Sequence, residues 1–162
     1  VLDHELRLNA SQALEMDPWQ IPTGRRLDVA GTPQDFREFR TFRPGIDAEF
    51  NHIRDFKGYD HPFVIDGWQP DILGEVGTLR DPQSGRKVDI LSSQPGVMVY
   101  TGNWLAGGCP ETKSGGRYAD YAGVAIECQN FPDAVNHPDF PSPLLRPGEL
   151  YCQKIVFRFG VC

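Results

Sequence analysis

The sequence has no long apolar run, no basic stripe and no paired-cysteine motif, and each of these absences removes a class of function. None of its apolar stretches approaches the roughly 18 residues needed to span a bilayer as a helix, and its first residues show no basic segment followed by an apolar one. Sixteen Lys and Arg stand against 22 Asp and Glu, for a net charge of -6. Without a run of cations to neutralise phosphates, nucleic acid is not an expected partner, and neither is a membrane. Four cysteines, Cys109, Cys128, Cys152 and Cys162, include no CxxC pair and no histidine at ligand spacing. A zinc site is therefore not expected, and the thiols read as buried or idle. Their pattern leaves the compartment open, because the sequon Asn9-Ala10-Ser11 has meaning only in a eukaryotic secretory pathway.

Glycine and proline are plentiful, with 17 and 14 residues punctuating short β-branched and aromatic stretches. This rhythm predicts an all-β chain of strands joined by turns. Expected strands cover residues 4–10, 27–30, 62–66, 73–79, 87–92, 97–101, 123–129 and 150–159. Asp81-Pro82 and Ser84-Gly85, set between two apolar alternations, predict a hairpin. Gly45 to Arg54 has some helical spacing but is too short and poorly capped to predict a stable helix. With 40% hydrophobic residues in a chain of this length, one folding unit and one core are expected. Val1-Leu2-Asp3-His4-Glu5-Leu6 begins almost inside a strand pattern, which suggests cleavage or truncation upstream.

Three clusters carry candidate chemistry. In Gly58-Tyr59-Asp60-His61-Pro62-Phe63, strand alternation sends Asp60 and His61 to opposite faces, so they do not act as a pair; His61 reads as a structural residue satisfied by backbone. Gln94, in Ser93-Gln94-Pro95-Gly96, offers donors and an acceptor suited to a sugar hydroxyl, or simply ties down a Pro-Gly turn. The most informative stretch is Val124-Ala125-Ile126-Glu127-Cys128-Gln129. Alternation there places Val124, Ile126 and Cys128 on a core face and Glu127 opposite them. A carboxylate in the middle of an apolar strand is costly if buried unpaired, so Glu127 must reach water, a cation or a ligand. His137 and Asp139, in a Pro-studded loop with no third ligand nearby, read as structural.

Taken in order, these and other motifs resemble the C-terminal half of aldose 1-epimerases of the galactose mutarotase type. The resemblance passes through Asp3-His4-Glu5-Leu6, Ile21-Pro22-Thr23-Gly24, Gly31-Thr32-Pro33 and Gly58-Tyr59-Asp60-His61. It continues through Gln94-Pro95-Gly96, Tyr100-Thr101-Gly102-Asn103, Glu127-Cys128-Gln129, Phe131-Pro132-Asp133-Ala134 and Pro147-Gly148-Glu149.

The resemblance implies that residues 1–162 are the C-terminal part of a single antiparallel β-sandwich domain whose concave face binds a free hexose such as galactose or glucose. It implies interconversion of α and β anomers without cofactor or metal. Glu127 would be the base that takes the proton from the anomeric hydroxyl, and Asp60 and Gln94 would hold other hydroxyls. The acid histidine, a second histidine and an arginine would come from an N-terminal half absent from this sequence, as a separate chain or an omitted segment. A non-catalytic carbohydrate-binding β-sandwich module is the alternative. Gln34 stands where family members often carry an aromatic residue, a difference that bears on packing.

Overall fold

The computed structural model describes residues 1–48, 50–107 and 112–162; Cys109 lies outside them. Ten strands form two five-stranded antiparallel sheets. Their ranges are β1 Glu5–Leu8, β2 Gln12–Met16, β3 Pro22–Asp28, β4 Arg40–Thr41, β5 Asp60–Val64, β6 Gly74–Arg80, β7 Arg86–Ser92, β8 Gly96–Tyr100, β9 Ala125–Gln129 and β10 Ile155–Val161. The first sheet runs β10-β7-β6-β1-β4 and the second β3-β2-β5-β8-β9. Among the described residues, helix is confined to the four-residue α1 Arg43–Ile46 and α2 Asn51–Arg54 and a 3-10 turn at Ala134–Asn136. No helix among the described residues is long and apolar enough to cross a membrane.

The expected antiparallel β-sandwich is thus the observed fold, because each sheet has one apolar face that only the other can cover. Leu6, Leu8, Val76 and Ile90 from the first sheet meet Ala13, Phe63, Val97 and Val99 from the second in one core. The outward face of the first sheet is charged. Arg80 pairs there with Glu5 at 2.6 Å and Lys87 with Asp89 at 2.9 Å, in keeping with alternation along β1, β6 and β7.

Most expected strands are present with shifted ends, and the expected hairpin joins β6 to β7. Its turn closes as Asp81 accepts the Gln83 and Ser84 N–H groups at 3.0 and 3.2 Å, the self-bonding that suits Asp to turns. The last strand begins at Ile155 rather than residue 150 and ends at Val161. Two strands, β2 and β4, were not expected at all. In β2 the register shifts between Leu14 and Met16, so Ala13 and Leu14 are both buried. That irregularity breaks the period-two pattern by which a strand is recognised.

Candidate active site

The second sheet carries both carboxylates the sequence singles out, Asp60 on β5 and Glu127 on β9, with β8 between them. Residues paired across an antiparallel ladder project from the same face. Asp60 pairs with Tyr100, Pro62 with Met98, and Met98 in turn with Glu127. Asp60, Met98, Tyr100 and Glu127 therefore share the outer face, away from the core. His61, Val99, Ile126 and Cys128 share the inner one, as alternation predicted. With two strand spacings between β5 and β9 and a two-residue offset along them, Asp60 and Glu127 are roughly 12 Å apart across the sheet, and Met98 and Tyr100 form the floor between them.

The chain before β5 is fixed by a buried polar knot. Asn103 Nδ2 donates to the carbonyls of Phe56 and Tyr59 at 2.9 and 3.0 Å, and its Oδ1 accepts from the Thr101 hydroxyl at 2.6 Å. The Tyr59 N–H donates to Thr101 Oγ1 at 3.0 Å. Gly58 is required here, since a Cβ at that position would lie 2.3 Å from Asn103 Oδ1. The motifs Gly58-Tyr59-Asp60 and Thr101-Gly102-Asn103 are thus two sides of one anchor, and what they hold in place is the start of β5 and Asp60.

Asp60 is half-buried. Burial pushes its carboxyl above the ordinary carboxylate range, the hydrogen bond donated by Gln20 Nε2 at 3.2 Å opposes the rise, and the negative charge of Glu127 adds to it. Glu127 is exposed and makes no hydrogen bond or salt bridge among the described residues. The expected access of Glu127 to water is therefore met by exposure, and its carboxylate is open to an incoming hydroxyl.

Gln94 sits apart. It precedes β8, is buried, and donates from Nε2 to the Tyr151 hydroxyl at 3.2 Å, while its Oε1 has no hydrogen-bond partner among the described residues. That amide contact reaches neither Asp60 nor Glu127. His61 is buried behind the sheet, its Nδ1 accepting the Asp60 N–H at 3.0 Å. His137 is occupied with the Pro22 carbonyl at 3.0 Å. Three neighbours of the two carboxylates escaped sequence reading: Gln20, Met98 and Tyr100. Pairing register would have found Met98 and Tyr100, but it is not written in local pattern. Gln20 reaches Asp60 only because the β2–β3 turn, with φ of 64° at Gln20 itself, folds back onto β5.

A family model described as aldose 1-epimerase matches residues 1–158. The chain belongs to the aldose 1-epimerase family. It is 38% identical to human galactose mutarotase over 162 residues, covering 98% of this chain and 44% of that protein. It is 36% identical to the aldose 1-epimerase of Haemophilus influenzae, covering 98% of this chain and 45% of that one. Among solved structures, an aldose epimerase homologue from C. elegans superposes with a TM-score of 0.85 at 31% identity, over 99% of this chain and 46% of that chain. The galactose 1-epimerase of Lactobacillus acidophilus shares the fold, with a TM-score of 0.81 at 24% identity. This member of the aldose 1-epimerase family thus spans a little under half the length of the relatives it matches.

Proposed function

We propose that this chain contributes the base side of an aldose 1-epimerase site, opening the ring of a free hexose so that its α and β anomers interconvert. The observation that carries the reading is the pair Asp60 and Glu127 on one face of one sheet, one carboxylate half-buried and the other open. Ring opening needs a proton removed from O1 and another delivered to O5, hence two positioned groups. Glu127 takes the first proton. Asp60, held by the Asn103 knot and by Gln20, accepts a hydrogen bond from a second sugar hydroxyl and keeps the ring oriented through the open-chain interval. The carbonyl carbon then turns about C1–C2, and reclosure from the other face returns the proton. Gln94 can join as a sugar contact through Oε1, which has no hydrogen-bond partner among the described residues, while its Nε2 stays on the Tyr151 hydroxyl.

The acid that protonates O5 is supplied, in this reading, by polypeptide corresponding to the part of the relatives that this chain does not span, with residues 1–162 forming the C-terminal part of one sandwich domain. Two of the described histidine side chains, His61 and His137, support that division. His61 faces the core, and His137 bonds the Pro22 carbonyl.

Polarimetry on freshly dissolved α-galactose and α-glucose tests the proposal. The expected result is accelerated mutarotation by the assembled protein and loss of that acceleration in Glu127→Gln. The engagement of His61 and His137 away from Glu127 favours, for the isolated chain, the second reading of a carbohydrate-binding module. Sugar binding without acceleration, in the assembled protein as well as in the isolated chain, would establish the module and overturn the enzyme.

A further inference from the structure

Every N–H of the β2–β3 turn, from Asp17 to Ile21, bonds within the turn. Asp17 Oδ1 accepts the Trp19 and Ile21 N–H groups at 2.8 and 2.9 Å. The Asp17 carbonyl accepts the Gln20 N–H at 3.0 Å, and the Asp17 N–H donates to the Ile21 carbonyl at 2.9 Å. These bonds hold Gln20 at φ 64°, in the left-handed region that a residue with a Cβ enters only where its surroundings fix it. From this position the exposed Gln20 reaches across to β5 and Asp60.

The chemistry of that contact decides which end of the amide is used up. An ionised carboxylate accepts hydrogen bonds and donates none, so Gln20 must turn Nε2 toward Asp60, as it does at 3.2 Å. Its Oε1, on the other arm of the same amide, makes no hydrogen bond among the described residues. One of the two Nε2 hydrogens is also left over. Asp60 and Gln20 thus present two acceptors with a donor between them. Two adjacent hydroxyls fit that set, each donating to one acceptor while one of them accepts the remaining N–H.

The span to Glu127 says which hydroxyls these are. Side chains stand roughly perpendicular to a sheet, so the two carboxylates keep about the roughly 12 Å of their strand positions. Two hydrogen bonds of about 2.8 Å leave roughly 6 Å to be bridged by the sugar. Neighbouring hydroxyls on one ring are too close together for that, whereas O1 and the hydroxyls on the opposite edge of a pyranose match it. We infer that Gln20 Oε1 is a sugar contact that selects the substrate, accepting from the hydroxyl beside the one held by Asp60, so that the site takes hexoses whose C3 and C4 hydroxyls are both free. This rests on the proposal above that Asp60 and Glu127 hold a free hexose, and it adds the hydroxyl pair that is read and the residue that reads it. A sugar lacking either hydroxyl, or linked through it to another ring, leaves an acceptor without its donor and binds more weakly.

The test is polarimetry of the assembled protein on α-galactose, 3-deoxygalactose and 4-deoxygalactose, comparing the parent with Gln20→Leu and Asp60→Ala. Gln20→Leu, at an exposed position, is expected to raise KM for galactose roughly 3- to 10-fold with kcat nearly unchanged, because a contact far from C1 is made equally before and in the transition state. Its penalty should vanish for one deoxy sugar, and that of Asp60→Ala for the other. The inference is overturned if Gln20→Leu leaves KM for galactose unchanged, if it penalises both deoxy sugars as much as galactose, or if both variants couple to the same hydroxyl, which would make Gln20 only a support for Asp60. Binding of the same sugars, followed by broadening of their proton NMR signals, separates the two claims. The same pairing of residue and hydroxyl in binding, without accelerated mutarotation, keeps the diol contact and removes the enzyme reading. Acceleration that is lost in Glu127→Gln but indifferent to Gln20→Leu keeps the enzyme reading and removes the contact, and sugars neither bound nor interconverted remove both.

Discussion

Asp60 and Glu127 project from one face of the same sheet with only β8 between them, and the charge of Glu127 disfavours ionisation of Asp60. The two carboxylates are therefore not equivalent. One is half-enclosed and held by a neighbour, and the other is open to solvent.

Replacing Glu127 by Gln is expected to lower the pKa of Asp60, because removing a nearby negative charge favours the charged form. The value should stay above that of a free carboxyl, since burial, the larger cause, is untouched. Carbon-detected NMR titration of the Asp60 carboxyl measures this, and an unchanged midpoint would show that the two groups do not interact.

The raised pKa of Asp60 also sets a pH dependence. In the unfolded chain its pKa returns to about 3.9. Above that value the unfolded state has shed the proton more completely than the folded one, so ionisation of Asp60 lowers stability as pH rises. Asp60→Asn is expected to unfold at a higher temperature than the parent near neutral pH, and to lose that advantage when the pH falls below the unfolded value. Thermal melts across roughly pH 3 to 7 decide it. A variant less stable at every pH would mean that the contact from Gln20 outweighs burial.

How much of this arrangement was legible in the sequence depends on distance along the chain. Alternation within β9 separated Glu127 from Cys128, and alternation within β5 separated Asp60 from His61, because parity is a local property. The turn between β6 and β7 was equally local, written in Asp81 and Ser84. What could not be read is register between distant strands: that Met98 faces Glu127, or that Gln20 reaches Asp60 across 40 residues. Gln94 illustrates the same limit. Its chemistry suits a sugar, but its environment is set by Tyr151, 57 residues away.

Asn103→Ala is expected to cost about 2–4 kcal/mol, because the carbonyls of Phe56 and Tyr59 would lose their shared donor in a buried site. Since the same knot sets the start of β5, activity of the assembled protein should fall more than the loss of folded fraction accounts for. Denaturant titration together with polarimetry separates the two effects. Activity that tracks folded fraction alone would make the knot purely structural.

Asp35 gives a second pH signature, of opposite sign. The hydrogen bond from the Arg37 guanidinium, at 2.7 Å, is the main cause that holds its pKa at about 2. A depressed carboxyl contributes stability that is fully present above its unfolded pKa, about 3.9, and is lost as pH falls through about 2. Arg37→Ala should remove that contribution, at most about 1 kcal/mol for so exposed a pair. Parent and variant should converge in acid melts below the folded value, and a gap that persists there would assign the effect to lost packing instead.

The tightest steric test lies at Gly45, where a Cβ would fall 1.7 Å from the Tyr59 hydroxyl oxygen. That hydroxyl is not free to move. It donates to the Pro33 carbonyl at 2.7 Å, and its ring is wedged between Phe36 and Phe42, with centroids at 5.1 and 5.6 Å. Alanine ordinarily gains up to about 1 kcal/mol over glycine within a helix, but α1 is only one turn long and the contact forces Tyr59 out of its hydrogen bond. The clash wins, and Gly45→Ala is expected to destabilise by about 1–3 kcal/mol. Tyr59→Phe alone should cost about 1 kcal/mol by stranding the Pro33 carbonyl. In the Tyr59→Phe background the oxygen is gone, so the same Gly45→Ala change should cost less than it does in the parent. A double-mutant cycle by urea denaturation reads that difference, and strict additivity would mean that the helix end moves aside rather than the tyrosine.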